Sequence, residues 1–125
     1  MKPVIRVPYF EVGTKNYVYG DQLLEYAIAA DKAAEKYDID VLFICSPIEI
    51  RRVCENTKNL IVLAPYMDTL RPGRGMADVL PEGLKAAGAQ GVEVVLKLGD
   101  ISHIPDAGKG FGLSRLDAPA CPAFC

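Results

Sequence analysis

The spacing of hydrophobic and polar positions changes period several times along this chain. Val4-Ile-Arg-Val7 is a short β-branched run closed by Pro8, and it predicts a first strand. After a loop from Tyr9 to Gly20, the pattern turns helical. Leu23, Ala27, Ala30, Ala34 and Tyr37 recur on one face, Asp31, Lys32, Glu35 and Lys36 turn to solvent, and Asp21 is the expected N-cap. Ile39 to Cys45 is almost continuously apolar, as a strand covered on both faces should be. Ser46-Pro47 then offers an N-cap and a first-position proline for a helix through Ile48, Ile50, Val53 and Cys54. Leu60-Ile-Val-Leu-Ala64 predicts a third buried strand. Leu80-Pro81-Glu82 opens another helix, Gly88 ends it, and Gly91-Val-Glu-Val-Val-Leu96 predicts a fourth strand.

Strands alternating with helices imply a parallel α/β sheet with crossover connections. With 125 residues the chain holds one core. A complete (β/α)8 barrel takes about 250 residues, so at most half of one is present. A small doubly wound, flavodoxin-like domain also fits this length, and strand order separates the two: 1-2-3-4 for the barrel, 2-1-3 for the doubly wound sheet. From Gly99 onward no period is sustained. The expected organisation is therefore a βα region over residues 1–98 and an irregular tail over 99–125.

Composition narrows the partners. A formal net charge of −2 gives no electrostatic preference for nucleic acid. No segment reaches the roughly 20 apolar residues of a membrane helix and the amino terminus lacks a signal-peptide pattern, so the expectation is a cytoplasmic protein without a membrane partner. Cys45, Cys54, Cys121 and Cys125 lack metal-ligand spacing and the single histidine is His103, so reduced thiols and no metal site are expected.

In parallel α/β folds chemistry gathers in the loops at the carboxyl ends of strands. The first such loop carries Glu11 and Lys15, the candidate substrate-binding and catalytic residues. The third, Tyr66-Met-Asp-Thr-Leu-Arg-Pro-Gly-Arg-Gly75, carries Asp68, Arg71 and the further substrate-binding candidate Arg74. Its Pro-Gly-Arg-Gly lacks the Gly-Lys-Ser/Thr ending of a phosphate loop. Gly108-Lys-Gly-Phe-Gly112 neither follows a predicted strand directly nor opens a clear helix.

Residues 64–92 carry a closer likeness. The Pro-Gly-x-Gly loop at Pro72–Gly75, followed by Leu80-Pro-Glu-x-x-Lys85-x-x-Gly88-Ala89, resembles the third and fourth βα units of the triosephosphate isomerase family, in its divergent, archaeal-like branch. The resemblance extends over roughly residues 3–92. It implies a partial (β/α)8 barrel and the cofactor-free aldose–ketose isomerisation of a triose phosphate in glycolysis and gluconeogenesis. It implies for the third loop a reach into a neighbouring subunit, and for a strand-end lysine the stabilisation of substrate phosphate and enediolate charge. The family's Asn-x-Lys is not matched at Pro8-Tyr9-Phe10, so Lys15 would have to reach back from the loop. The family's histidine segment after the fourth strand is replaced by Glu93-Val-Val-Leu-Lys-Leu-Gly-Asp100, and its glutamate base belongs to the second half of the barrel. The break after Val92 leads us to expect a truncated or frameshifted product, inactive alone and self-associating through the exposed edges of its sheet.

Overall fold

The computed structural model describes residues 4–96 and 111–113. Along them run β1 (Tyr9–Gly13), α1 (Gly20–Tyr37), β2 (Asp40–Ile44), α2 (Ile50–Asn56), β3 (Leu60–Asp68), α3 (Pro81–Ala87), β4 (Gly91–Leu96) and β5 (Phe111–Leu113). The sheet order is β1-β2-β3-β4-β5; β1 to β4 are parallel and β5 is antiparallel to β4. Sequential order is what successive βα units give in a partial (β/α)8 barrel. It rules out the doubly wound alternative.

The helices cover one face. Val41 and Phe43 of β2, Cys45 just beyond it, Leu60, Val62 and Ala64 of β3 and Val92 of β4 pack with Leu23, Ala27 and Ala34 of α1, Ile50 and Val53 of α2 and Leu84 of α3. Because side chains alternate along a strand, the intervening residues point to the opposite face. Leu42, Ile44 and Ile61 are buried there, outside the helix-packed cluster. Burial on both faces is why these two strands read as unbroken apolar runs.

The first strand begins at Tyr9, not Val4. Tyr9–Gly13 aligns residue for residue with Asp40–Ile44 and Val12 packs against the helix-side core, whereas Val4 and Val7 are 88% and 85% exposed. Pro8, with no N–H to give a ladder, precedes the strand instead of closing it. Arg6 anchors the approach: its backbone N–H and Nε donate to Asp40 at 2.7 and 2.8 Å, and Nη1 donates to Asp38 at 2.9 Å.

Helix α1 starts at Gly20 without a side-chain cap from its own N-terminus. The buried Glu49 carboxylate accepts the Gly20 N–H at 2.7 Å instead, and Asp21 pairs with Arg52. Tyr37, expected on the buried face, is exposed beside the Lys36 ammonium, because Asp38 already turns into the left-handed region (φ 49°) and ends the helix. Residues 46–49 form a turn, with the Glu49 N–H on the Ser46 carbonyl at 2.9 Å. Helix α2 therefore begins only at Ile50, and Ile48 faces solvent. Helix α3 opens at Pro81 and stops at Gly88 (φ 109°) as its sequence predicts. A Cβ there would lie 2.9 Å from both Cβ and Sγ of Cys54. Within the tail expected to be irregular, Phe111–Leu113 pairs with Val94–Leu96; the rest of 99–125 lies outside the described residues.

Candidate functional site at the carboxyl end of the sheet

The chain leaves β1 still stitched to β2. The buried Thr14 donates its N–H to the Ile44 carbonyl at 3.0 Å, and its Oγ1 donates to the same oxygen at 3.2 Å. Lys15 follows in the left-handed region at φ 53°, a conformation that costs a non-glycine residue about 1 kcal/mol or more. The turn folds its side chain back along the strand. A Cβ placed on Gly13 would sit 3.6 Å from Lys15 Nζ and 3.7 Å from its Cε, so the lysine occupies the space that the glycine leaves.

That space lies on the face opposite the helices. Val12 packs into the helix-side core, so Glu11 and the missing side chain of Gly13 point the other way. Val92 packs on the helix side too, so Glu93 shares the face of Glu11 and Lys15. The ladders align Gly13 with Ile44, Ile44 with Leu63 and Leu63 with Gly91. Two residues further along, β1 leads into Lys15 and β4 reaches Glu93, placing both at one level of the sheet. In a flat sheet β1 and β4 would stand about 14 Å apart, three strand spacings. With its helices on one face, a (β/α)8-type sheet curls toward the other, which shortens that span and turns Lys15, Glu11 and Glu93 toward one another.

The result is a cation and two carboxylates around an apolar floor that includes Leu42, Ile44 and Ile61. Burial pushes the Glu93 carboxyl above the usual range, Lys15 pulls it back and Glu11 pushes it further up. Among the described residues Lys15 makes no ion pair, which leaves its ammonium able to meet an anion.

The other candidates fall elsewhere. Asp68 is the buried last residue of β3: its N–H donates to the Val79 carbonyl at 2.8 Å and its carboxylate accepts the Val79 N–H at 2.7 Å. Residues 69–78 are thus a loop pinched at its neck, and Arg71 and Arg74 lie on its exposed part. Arg74 makes no hydrogen bond or ion pair with any described residue. Burial lifts the Cys45 thiol to about 12 and raises Cys54, so both stay protonated at neutral pH. No group of three or more metal-ligating side chains occurs among the described residues, and none of the described helices is long and apolar enough to cross a membrane. His103, Cys121, Cys125 and the glycine cluster up to Gly110 lie outside them.

Glu93 escaped the sequence reading, although a single charge inside the apolar strand Gly91–Leu96 was its signal. Lys15 was legible as a residue type but was set too far from its strand, because the strand itself was placed at 4–7.

Sequential parallel strands with a cation at the carboxyl end of the first make this chain an α/β half-barrel with a candidate anion site. It is similar to the triosephosphate isomerase of Methanocaldococcus jannaschii, with 29% identity over 108 residues, 82% of this chain and 49% of that enzyme. The chain therefore spans about half the length of this curated relative. No family model matches it.

Proposed function

We propose that the chain supplies the first half of a triose-phosphate isomerase site, in which Lys15 binds the substrate phosphate and steadies negative charge developing on the sugar oxygens. The observation that carries this reading is the seat of Lys15, folded back over Gly13 at the carboxyl end of β1. The relative's activity and the sequential strand order support it. An ammonium over an apolar floor is worth more to an oxyanion than one in water, because the surroundings screen it less. Glu11, on the same face, would accept hydrogen bonds from substrate hydroxyls. Arg74, on its exposed loop, would reach the site of a neighbouring subunit.

Ligand binding is assigned to the chain itself, and isomerisation to a parent that supplies the remaining strands. Titration of the isotope-labelled chain with dihydroxyacetone phosphate should move the amide signals of Gly13, Thr14 and Lys15, and Lys15→Met should abolish the shifts. Shifts that persist unchanged in Lys15→Met would sink the reading.

A second reading is a non-catalytic half-barrel that associates through β1. It is favoured by the exposure of that strand, whose outer side has no partner among the described residues and whose Phe10 is 62% exposed. A discrete dimer in sedimentation that disperses on Phe10→Lys, with no response to the sugar phosphate, would put this reading first.

A further inference from the structure

We propose that Glu93 belongs to the ligand site of Lys15, and that a phosphate monoester seated on the Lys15 ammonium binds together with a proton taken up by Glu93. This rests on the phosphate-binding role proposed for Lys15 and adds to it a residue from the fourth strand and a coupling to solvent protons.

The geometry comes first. Glu93 and Lys15 lie on the same face and at one level of a curling sheet, with Leu42, Ile44 and Ile61 on that face between β1 and β4. Glu93 is half-buried while Glu11 is exposed, so water stabilises the charge of Glu11 far better. Among the described residues the ionisable groups around Glu93 are few. From the β1 side come Lys15 and Glu11. On β3, Tyr66 and Asp68 fall in step with Ala64 on the helix side, away from Glu93, and the Asp68 carboxylate is held by the Val79 N–H. Strand β5 reads Phe-Gly-Leu and brings none, and α3, with Glu82 and Lys85, packs on the opposite face.

In the free protein the ammonium is attracted by two carboxylates. A phosphate arriving there adds negative charge beside them on an apolar floor, where like charges repel strongly. The least costly relief is to neutralise the carboxylate that solvent supports least, which is Glu93. Its carboxyl already holds its proton more tightly than a free glutamate does, through burial. The proton comes from solvent, resides on a Glu93 carboxyl oxygen while the ligand is bound, and returns to solvent on release. Once protonated, Glu93 can donate a hydrogen bond to a phosphoryl or hydroxyl oxygen.

The test is calorimetric titration of the full chain with dihydroxyacetone phosphate at mildly acidic pH, in two buffers of different ionisation enthalpy. A carbon NMR titration of the Glu93 carboxyl, with and without ligand, runs in parallel. The expected result is more proton uptake on binding by the wild type than by Glu93→Gln, the titration of the ligand's own phosphate being common to both, and an upward move of the Glu93 titration. Affinity of the wild type should weaken by about tenfold as pH rises through that titration, the scale of one like charge nearby. Glu93→Gln should bind with the low-pH affinity of the wild type and take up no proton at this site. Binding lost in Lys15→Met, with proton uptake unchanged in Glu93→Gln and a Glu93 titration indifferent to ligand, would overturn this inference and leave the role of Lys15 standing. Binding retained in Lys15→Met would overturn that role, and absence of binding by the wild type would overturn both.

Discussion

Strands β1 and β2 are each five residues long and paired to one another in register, yet they live in different surroundings. Four of the five residues of β2 are buried, and none of β1 is. Strand β2 is held by hydrophobic contact on both faces, with Phe43 fully enclosed. Strand β1 is held by its ladder, by Val12 and by polar pins at its two ends, Arg6 on Asp38 and Asp40 and Thr14 on the Ile44 carbonyl. Stability and chemistry are thus divided between neighbours. Of the two, the strand that contributes less to the core is the one that presents Glu11 and leads into Lys15.

The sharpest way to break this contrast is to truncate each strand in turn. Phe43→Ala should cost about 3–5 kcal/mol in urea unfolding, the usual range for a buried phenylalanine. Phe10→Ala should stay within about 0.5 kcal/mol. Equal losses would show that β1 carries as much of the core as β2. Gly88→Val should cost roughly 1–3 kcal/mol, because it forces a β-branched residue into a positive φ and drives its Cβ into Cys54.

Comparable in scale is the neck of the third loop. Asp68→Ala leaves the Val79 N–H without its carboxylate and should cost about 1–3 kcal/mol, with faster amide exchange at Val79 as the local sign. An unchanged exchange rate there would mean that the clamp does not hold the loop. The pH dependence comes from Cys45. Its folded value, about 12, lies above the ordinary 9.0, so the neutral thiol favours the folded state. Stability from this group is intact below pH 9.0 and falls as pH rises toward about 12. Replacing Cys45 by Ala should flatten that alkaline limb in pH-dependent unfolding, whatever it does to stability at neutral pH.

The elements that sequence reading placed well are those whose own residues decide them. Residues 60–64 are apolar enough to need cover on both faces, and Pro81 and Gly88 punctuate α3 through backbone chemistry alone. The displaced elements are those decided by a distant partner. Val4-Ile-Arg-Val7 has better strand composition than Tyr9–Gly13, but composition carries no information about the ladder that Asp40–Ile44 offers. The start of α1 depends on Glu49, a residue twenty-nine positions away, and β3 runs on to Asp68 because Val94–Leu96 continues to pair with it. Of the candidate site, Lys15 and Glu11 were visible as charged residues near a strand end. Their grouping with Glu93 was not, because it depends on the curl of a sheet and on the parity of strands whose boundaries had first to be found.

The antiparallel strand β5 has a further bearing on assembly. A sheet with two open edges can add copies head to tail without limit, but here β5 occupies the far side of β4, the edge from which a parallel fifth strand would grow. A strand added beyond β5 meets a three-residue edge that runs against β1 to β4, a shorter template than the five residues of β1, so the two ends of the sheet are unequal templates for another strand.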